Sequence, residues 1–261
     1  MTPLCVIGNI SVDHSHYPDG RHHQRLGGAA WHIATAAADA GRLAHPVAVI
    51  GDDLSPLPTR AGLDLSAVHT APGSSATFRL SYDQHDQLTG LDAQQGVATE
   101  RLTGHAQDHL AACTADLIHI CCRTPLDAPG LLTQALSRPF VSVDFITSSI
   151  ASLLPAVLPW LPDTGAIFTS TDEHRLITRM CDTSRLPLIV VTDGPRPARV
   201  YRHGTLTASQ TPPPTTAVEV SGAGDTVTGT FLAHHARGAS DAAALHAAIT
   251  AASAHITRLR P

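Results

Sequence analysis

The chain has 261 residues, 43% of them apolar and 15% charged, and a formal net charge of −5. That balance supplies a core and excludes wholesale disorder; the basic residues are all arginine and scattered along the chain, which excludes a nucleic-acid groove. With no lysine, a Gly-x-x-x-x-Gly-Lys-Ser/Thr phosphate loop is excluded too, so a bound phosphate would rest on backbone N–H groups and arginine.

The length suits one sizeable α/β domain with a small appendage or two small domains, and one domain is the expectation taken. The first residues lack the basic segment and apolar stretch of a signal peptide, and no window reaches the roughly 18 apolar residues of a membrane span, so a cytoplasmic location is expected. Five cysteines without repeated spacing read as reduced core thiols.

In chain order, Leu4–Ile10 is an apolar run of strand length, and Ala29–Ala40 has helical spacing closed by Gly41. A strand at Val47–Ile50 stops at Gly51. Residues 76–82 alternate Phe78, Leu80 and Tyr82 against Thr77, Arg79 and Ser81, the pattern of a half-exposed strand at an edge or in a sheet of its own. From Leu117 the pattern is regular: strand 117–122, helix 130–136, strand 140–144, an apolar segment to Trp160, strand 166–169, helix 172–180 and strand 188–192. Strands alternating with helices imply a mostly parallel sheet covered on both faces, with ligands at the carboxyl ends of its strands. After a proline-rich connector, Val218–Val220 reads as a strand, followed by a glycine turn and helices over 225–236 and 241–257.

The turn Gly222-Ala223-Gly224 before a helix leaves successive N–H groups uncovered with the helix dipole behind them, which suits an anion. Asp225 in the same first turn would repel a phosphate that was merely bound; it makes sense as a base that takes the proton of an attacking hydroxyl while the amides stabilise a transferring phosphoryl group. Taken alone, the same pattern also describes an ordinary helix start with an aspartate offsetting the dipole.

Here the chain resembles the ribokinase-like (PfkB-type) carbohydrate kinases, and the resemblance runs over nearly all of it. Ser221-Gly222-Ala223-Gly224-Asp225-Thr226 is similar to the family's C-terminal signature, with Asp225 implied as base and the preceding residues as anion hole. Gly27-Gly28-Ala29-Ala30-Trp31-His32 resembles the di-glycine motif at a substrate-contacting helix, and the first strand with Gly8-Asn9-Ile10 and Asp13 resembles the segment whose acidic residue binds substrate hydroxyls. The resemblance thus implies Asn9, Asp13, Gly27, Gly28 and His32 for the substrate. It implies Ser170, Glu173, Thr192 and Gly194 for the nucleotide, Glu173 reaching magnesium through water, with ATP and Mg2+ as cofactors. Three departures stand out: Ser170 replaces an Asn, His32 replaces an Asn, and Glu219 replaces an Asp. Together with the chain end at Pro261, the last gives no support for monovalent-cation activation.

The fold implied is a three-layer α/β/α unit over 1–261 with a central mostly parallel sheet and a small β lid from about 11–25 and 69–92. Phe78 and Leu80, read as exposed on the lid, are compatible with a homodimer through it. The activity implied is transfer of the ATP γ-phosphoryl group to a hydroxyl of a sugar or sugar-like molecule. A nucleoside or a vitamin alcohol is the alternative acceptor; aromatics at 4%, with Trp31 the one stacking candidate, favour a sugar. A catalytically silent binder is the reading of another class, and the intact Gly-Ala-Gly-Asp argues against it. The histidines show no zinc-type spacing. Asp144, at a strand end, is left between a ligand contact and a helix cap, and Arg79 reads as an exposed edge charge.

Overall fold

The computed structural model describes residues 3–85 and 88–257. In chain order its elements are β1 (Leu4–Ile7), β2 (Ser11–His16), β3 (His22–Gly27), α1 (Ala29–Asp39), β4 (Ala44–Gly51), β5 (Val68–Ala71), β6 (Ala76–Tyr82), β7 (Leu88–Gln94), α2 (Ala98–Ala112) and β8 (Leu117–Cys122). There follow α3 (Ala128–Ala135), β9 (Phe140–Phe145), α4 (Thr147–Val157), β10 (Ala166–Ser170), α5 (Thr171–Met180), β11 (Ile189–Asp193), β12 (Arg196–Arg202), β13 (Thr205–Gln210), α6 (Ala223–His235) and α7 (Asp241–Ile256).

The apolar runs form a nine-stranded sheet ordered β13-β12-β11-β10-β9-β8-β1-β4-β5, parallel except that β12 runs antiparallel to both β11 and β13. Its central strands are buried on both faces, which explains runs such as Leu117–Cys122 that do not alternate buried with exposed residues. Leu4, Val6, Ala48 and Val190 pack with α1, α6 and α7 on one side. Cys5, Ile7, Val49, Ile120 and Ile167 pack under the helices α2 to α5 on the other. The result is the expected three-layer α/β/α architecture with a mostly parallel central sheet.

A second sheet, ordered β3-β2-β6-β7, stands apart from the first; its β2–β6 pair is parallel and the other two are antiparallel. Directly paired residues share a face, so one row across it runs Arg25, Asp13, Phe78, Ala93. This is the expected small sheet with different limits: β3 reaches Gly27, β7 reaches Gln94, residues 69–71 belong to β5 at the edge of the large sheet, and residues 86–87 lie outside those described.

Several expectations need correction. The first strand ends at Ile7, because the chain turns at Gly8-Asn9 to enter the small sheet. Residues 218–220 form no strand: their amides bond to the end of α7 and to a tyrosine, with no ladder partner. Leu80 is buried against Tyr17 and Tyr82, and Phe78 shares the face of Asp13, so neither forms an outward apolar patch for a second copy. Arg79 sits on an interior strand and pairs with Asp92 at 3.5 Å. Cys113 and Cys181 are partly exposed, while Cys5, Cys121 and Cys122 are buried.

Candidate functional site

Side chains from the carboxyl ends of β1, β8, β9, β10 and β11 converge with the N-terminus of α6 and the inner face of the small sheet. Gly222 caps α6 with φ 77° in the left-handed region, and a Cβ there would lie 2.8 Å from the His32 ring. Glycine is required on both counts. No group among the described residues accepts from the N–H groups of Gly222, Gly224 or Asp225, so these donors are available to an anion. Asp225 keeps some solvent contact, yet the cleft desolvates its carboxyl and raises its pKa; Arg123 and His32 oppose that rise, and Asp144 and Asp13 add to it.

On the facing side, the buried Asp13 accepts from the Ser11 hydroxyl at 2.6 Å and lies 3.9 Å from His32 Nε2. A Cβ on Gly27 would fall 2.0 Å from the Asp13 carboxylate, and one on Gly28 (φ 88°) would fall 2.4 Å from the Asn9 carbonyl oxygen. The two glycines therefore let the small sheet and α1 close around Asp13 and Asn9. Asn9 donates from Nδ2 to Gln95 at 2.8 Å, while its Oδ1 is buried without a partner.

Arg123 was not singled out by the sequence. It follows β8 directly and donates to Asp144 at the end of β9, with its Nε lacking a partner. His119 approaches the same carboxylate at 3.4 Å while its Nδ1 bonds Ser142 at 2.9 Å. Burial would push Asp144 up, but Arg123 and His119 hold it below the usual carboxylate range. His119, Cys121 and Asp144 bring three potential metal donors within 4.8 Å, but the aspartate is already engaged by the guanidinium and the imidazole. The only sequence signal for Arg123 was an arginine ending an apolar strand.

On the other flank, Ser170 and Glu173 form a capping box at the start of α5. The Ser170 hydroxyl accepts from the Glu173 N–H at 3.3 Å, and a Glu173 oxygen accepts from the Ser170 N–H at 2.7 Å. The other Glu173 oxygen accepts from Thr147 Oγ1 at 2.8 Å; burial raises this carboxyl against those bonds. Thr192 pairs in register with Ser170, and Gly194 turns at φ 57°. Trp31 is buried in the core and, with Ala251, Ala254 and His255, lines a groove of about 800 Å³ between α1, α6 and α7.

The segment leading to Gly222 is held by the small sheet. Glu219, fully buried, accepts from the Tyr17 hydroxyl at 2.9 Å and from the Ser221 N–H at 2.8 Å, and its carboxylate lies 3.9 Å from Arg25. Arg25 donates to the Ser221 carbonyl, which also bonds His255 Nε2 at 2.8 Å. Tyr17 stacks on Tyr82 with ring centroids 4.7 Å apart.

Among known proteins, the sequence profile of the pfkB family carbohydrate kinases matches residues 1–260. The cytidine kinase of Thermococcus kodakarensis is 29% identical over 256 residues, covering 91% of this chain and 90% of that protein. The nucleoside kinase of Burkholderia thailandensis in complex with inosine superposes with a TM-score of 0.81 at 18% identity, covering 99% of this chain and 92% of that one. The ribokinase of Cryptococcus neoformans with ADP gives 0.81 at 16%, covering 99% and 95%. The adenosine kinase of Sinorhizobium meliloti gives 0.79 at 16%, covering 100% and 96%.

Proposed function

Because the chain belongs to the pfkB family of carbohydrate kinases and is thus an ATP-dependent small-molecule kinase, we propose that its acceptor is the ribose of a nucleoside, with Asp225 as the base. The observation that carries this reading is the row on the small sheet that sets Asp13, a carboxylate suited to sugar hydroxyls, beside the ring of Phe78 and the small Ala93. An aromatic face next to a hydroxyl-binding carboxylate fits a base attached to a sugar. The similar chains named as a cytidine kinase, a nucleoside kinase in complex with inosine and an adenosine kinase lend it further support. Trp31, the stacking candidate on sequence grounds, lies in the core and the helical groove.

In this reading Asp13 and Asn9 orient the ribose hydroxyls, helped by His32. Asp225 takes the proton as the hydroxyl oxygen bonds to the γ-phosphorus, the bond to the β-phosphate oxygen breaks, and ADP leaves. The N–H groups of Gly222, Gly224 and Asp225 take up the charge on the moving phosphoryl group. Ser170, Thr192 and Gly194 border the nucleotide. The orphan N–H groups and the buried Glu173 carboxylate fit Mg-ATP, and Mg2+ would supply charge neutralisation on the phosphates, held through water from Glu173. The small sheet serves as a lid that excludes water, and the whole chain acts as one kinase unit in the cytoplasm, where ATP and magnesium are held.

The test is ADP release from Mg-ATP across nucleosides, free sugars and vitamin alcohols, beside Asp225→Asn. The expected result is turnover with a nucleoside and a loss on the order of 10³-fold in the variant. Turnover with a free pentose alone would move the acceptor to a sugar, and binding without turnover would leave a silent binder.

A further inference from the structure

We propose that Arg25 is a positioning residue for phosphoryl transfer: carried by the small sheet, its guanidinium fixes the Ser221 carbonyl and so aims the Gly222 N–H into the anion hole. The inference rests on the kinase reading above and deepens it by making the anion hole depend on the lid.

Residues 217–221 belong to no strand or helix. From the body of the protein they are held by the Ile256 carbonyl, which accepts from Val218 and Glu219, and by His255 on Ser221. Among the described residues, the other side-chain holds on this segment from outside it come from the small sheet or its β2–β3 turn. Tyr17 bonds Glu219 and the Val220 N–H (3.2 Å), Arg21 donates to the Val218 carbonyl at 3.1 Å, and Arg25 donates to the Ser221 carbonyl.

The carbonyl matters because a trans peptide unit is planar, with its C=O and N–H pointing opposite ways. Pinning the Ser221 oxygen on one side therefore directs the Gly222 N–H to the other, where no group among the described residues accepts from it. A cation on the oxygen also polarises the peptide so that its N–H becomes a stronger donor toward an anion.

The link to the acceptor lies in the register. Arg25 is paired with Asp13, and Asp13 with Phe78, so the hydroxyl-binding carboxylate and the guanidinium sit on one face of neighbouring strands. The network is also incompletely closed: Arg25 Nε and Nη1 and Glu219 Oε2 are buried without partners, and the two charged groups stand 3.9 Å apart. Shortening that gap by roughly an ångström would make a charge-assisted hydrogen bond. Unmet buried charge favours that closure, and an acceptor seated on Asp13 would hold β2 and β3 in the position that achieves it.

The experiment compares the native chain with Arg25→Ala, Arg25→Lys and Tyr17→Phe, using Mg-ATP with cytidine, inosine and ribose as acceptor probes. For Arg25→Ala the expected kcat falls by about 10²-fold, with both KM values within roughly threefold of native. Millimolar guanidinium restores part of kcat in that variant alone, and Arg25→Lys loses less. A kcat for Arg25→Ala within about twofold of native, or a loss that neither guanidinium nor lysine reduces, overturns the proposal. If Arg25→Ala does not fold, Arg25→Lys and Tyr17→Phe decide, and native kcat in both overturns it. If the native chain phosphorylates no probe, the nucleoside reading fails separately. The question then passes to the Gly222 amide resonance on adding Mg-ADP with orthovanadate. A shift in the native chain that Arg25→Lys diminishes supports the proposal; no shift, or equal shifts, overturns it.

Discussion

Arg123 donates to Asp144 and lies within electrostatic reach of Asp225, so two carboxylates with different duties depend on one guanidinium. Asp225 can take a proton only while ionised. Burial raises its pKa, so on acidification it loses the ionised form earlier than an ordinary aspartate, and the acid limb of kcat should lie above the usual aspartate range. Arg123→Met removes the main opposing charge, and the limb should move to still higher pH. The variant also leaves Asp144 buried without its cation, at a cost of about 3 kcal/mol. A pH profile of kcat for both proteins checks the first expectation, and an unmoved limb contradicts it; thermal unfolding checks the second. At this scale the sequence was readable where chemistry is contiguous. Gly222-Ala223-Gly224-Asp225 declares itself because neighbouring residues share one turn, whereas Arg123 needs β9 beside β8 before its partner Asp144 is known.

Helices α1 and α6 hold the two halves of the site, Gly28 and His32 on one, Gly222 and Asp225 on the other, and they touch through Gly229. A Cβ there would lie 2.1 Å from the Ile33 carbonyl oxygen and 3.0 Å from the Ala36 methyl. Gly229→Ala must push the helices apart, with an expected loss of about 1–3 kcal/mol and a fall in kcat as Asp225 moves from Asp13. Thermal unfolding and steady-state kinetics would show both, and a native melting temperature would disprove the close packing. Element type followed from periodicity through most of the chain because parallel strands bury both faces. It failed at Val218–Val220, whose β-branched residues suit a strand; side chains from distant segments, Tyr17 and Arg21, take the place of a ladder there. It also gave no hint of β12 and β13, whose arginines and threonines reflect an exposed edge.

Across the whole molecule, the small sheet carries the row from Arg25 through Asp13 to Phe78 and bonds to residues 217–221 of the large unit. Adding the acceptor should therefore slow hydrogen exchange together in two places far apart in sequence, 76–82 and 217–222. Exchange mass spectrometry would detect it, and protection of 76–82 alone would show that the two regions move independently. Such long-range ties, with Tyr17 bonded across to Glu219, are what sequence reading misses most, because nothing local marks either partner. The order of the layers, by contrast, followed from strands alternating with helices.

The small sheet is assembled from two stretches of chain, β2 with β3 and β6 with β7, separated by α1, β4 and β5. Under the proposed acceptor reading, preference is thus not inherited as a cassette. A recombination event or a domain graft that imports one stretch brings half a pocket against a foreign half, and breaks the row that joins Asp13 to Phe78. New acceptors are reached more readily by point changes along that row than by exchange of a whole segment.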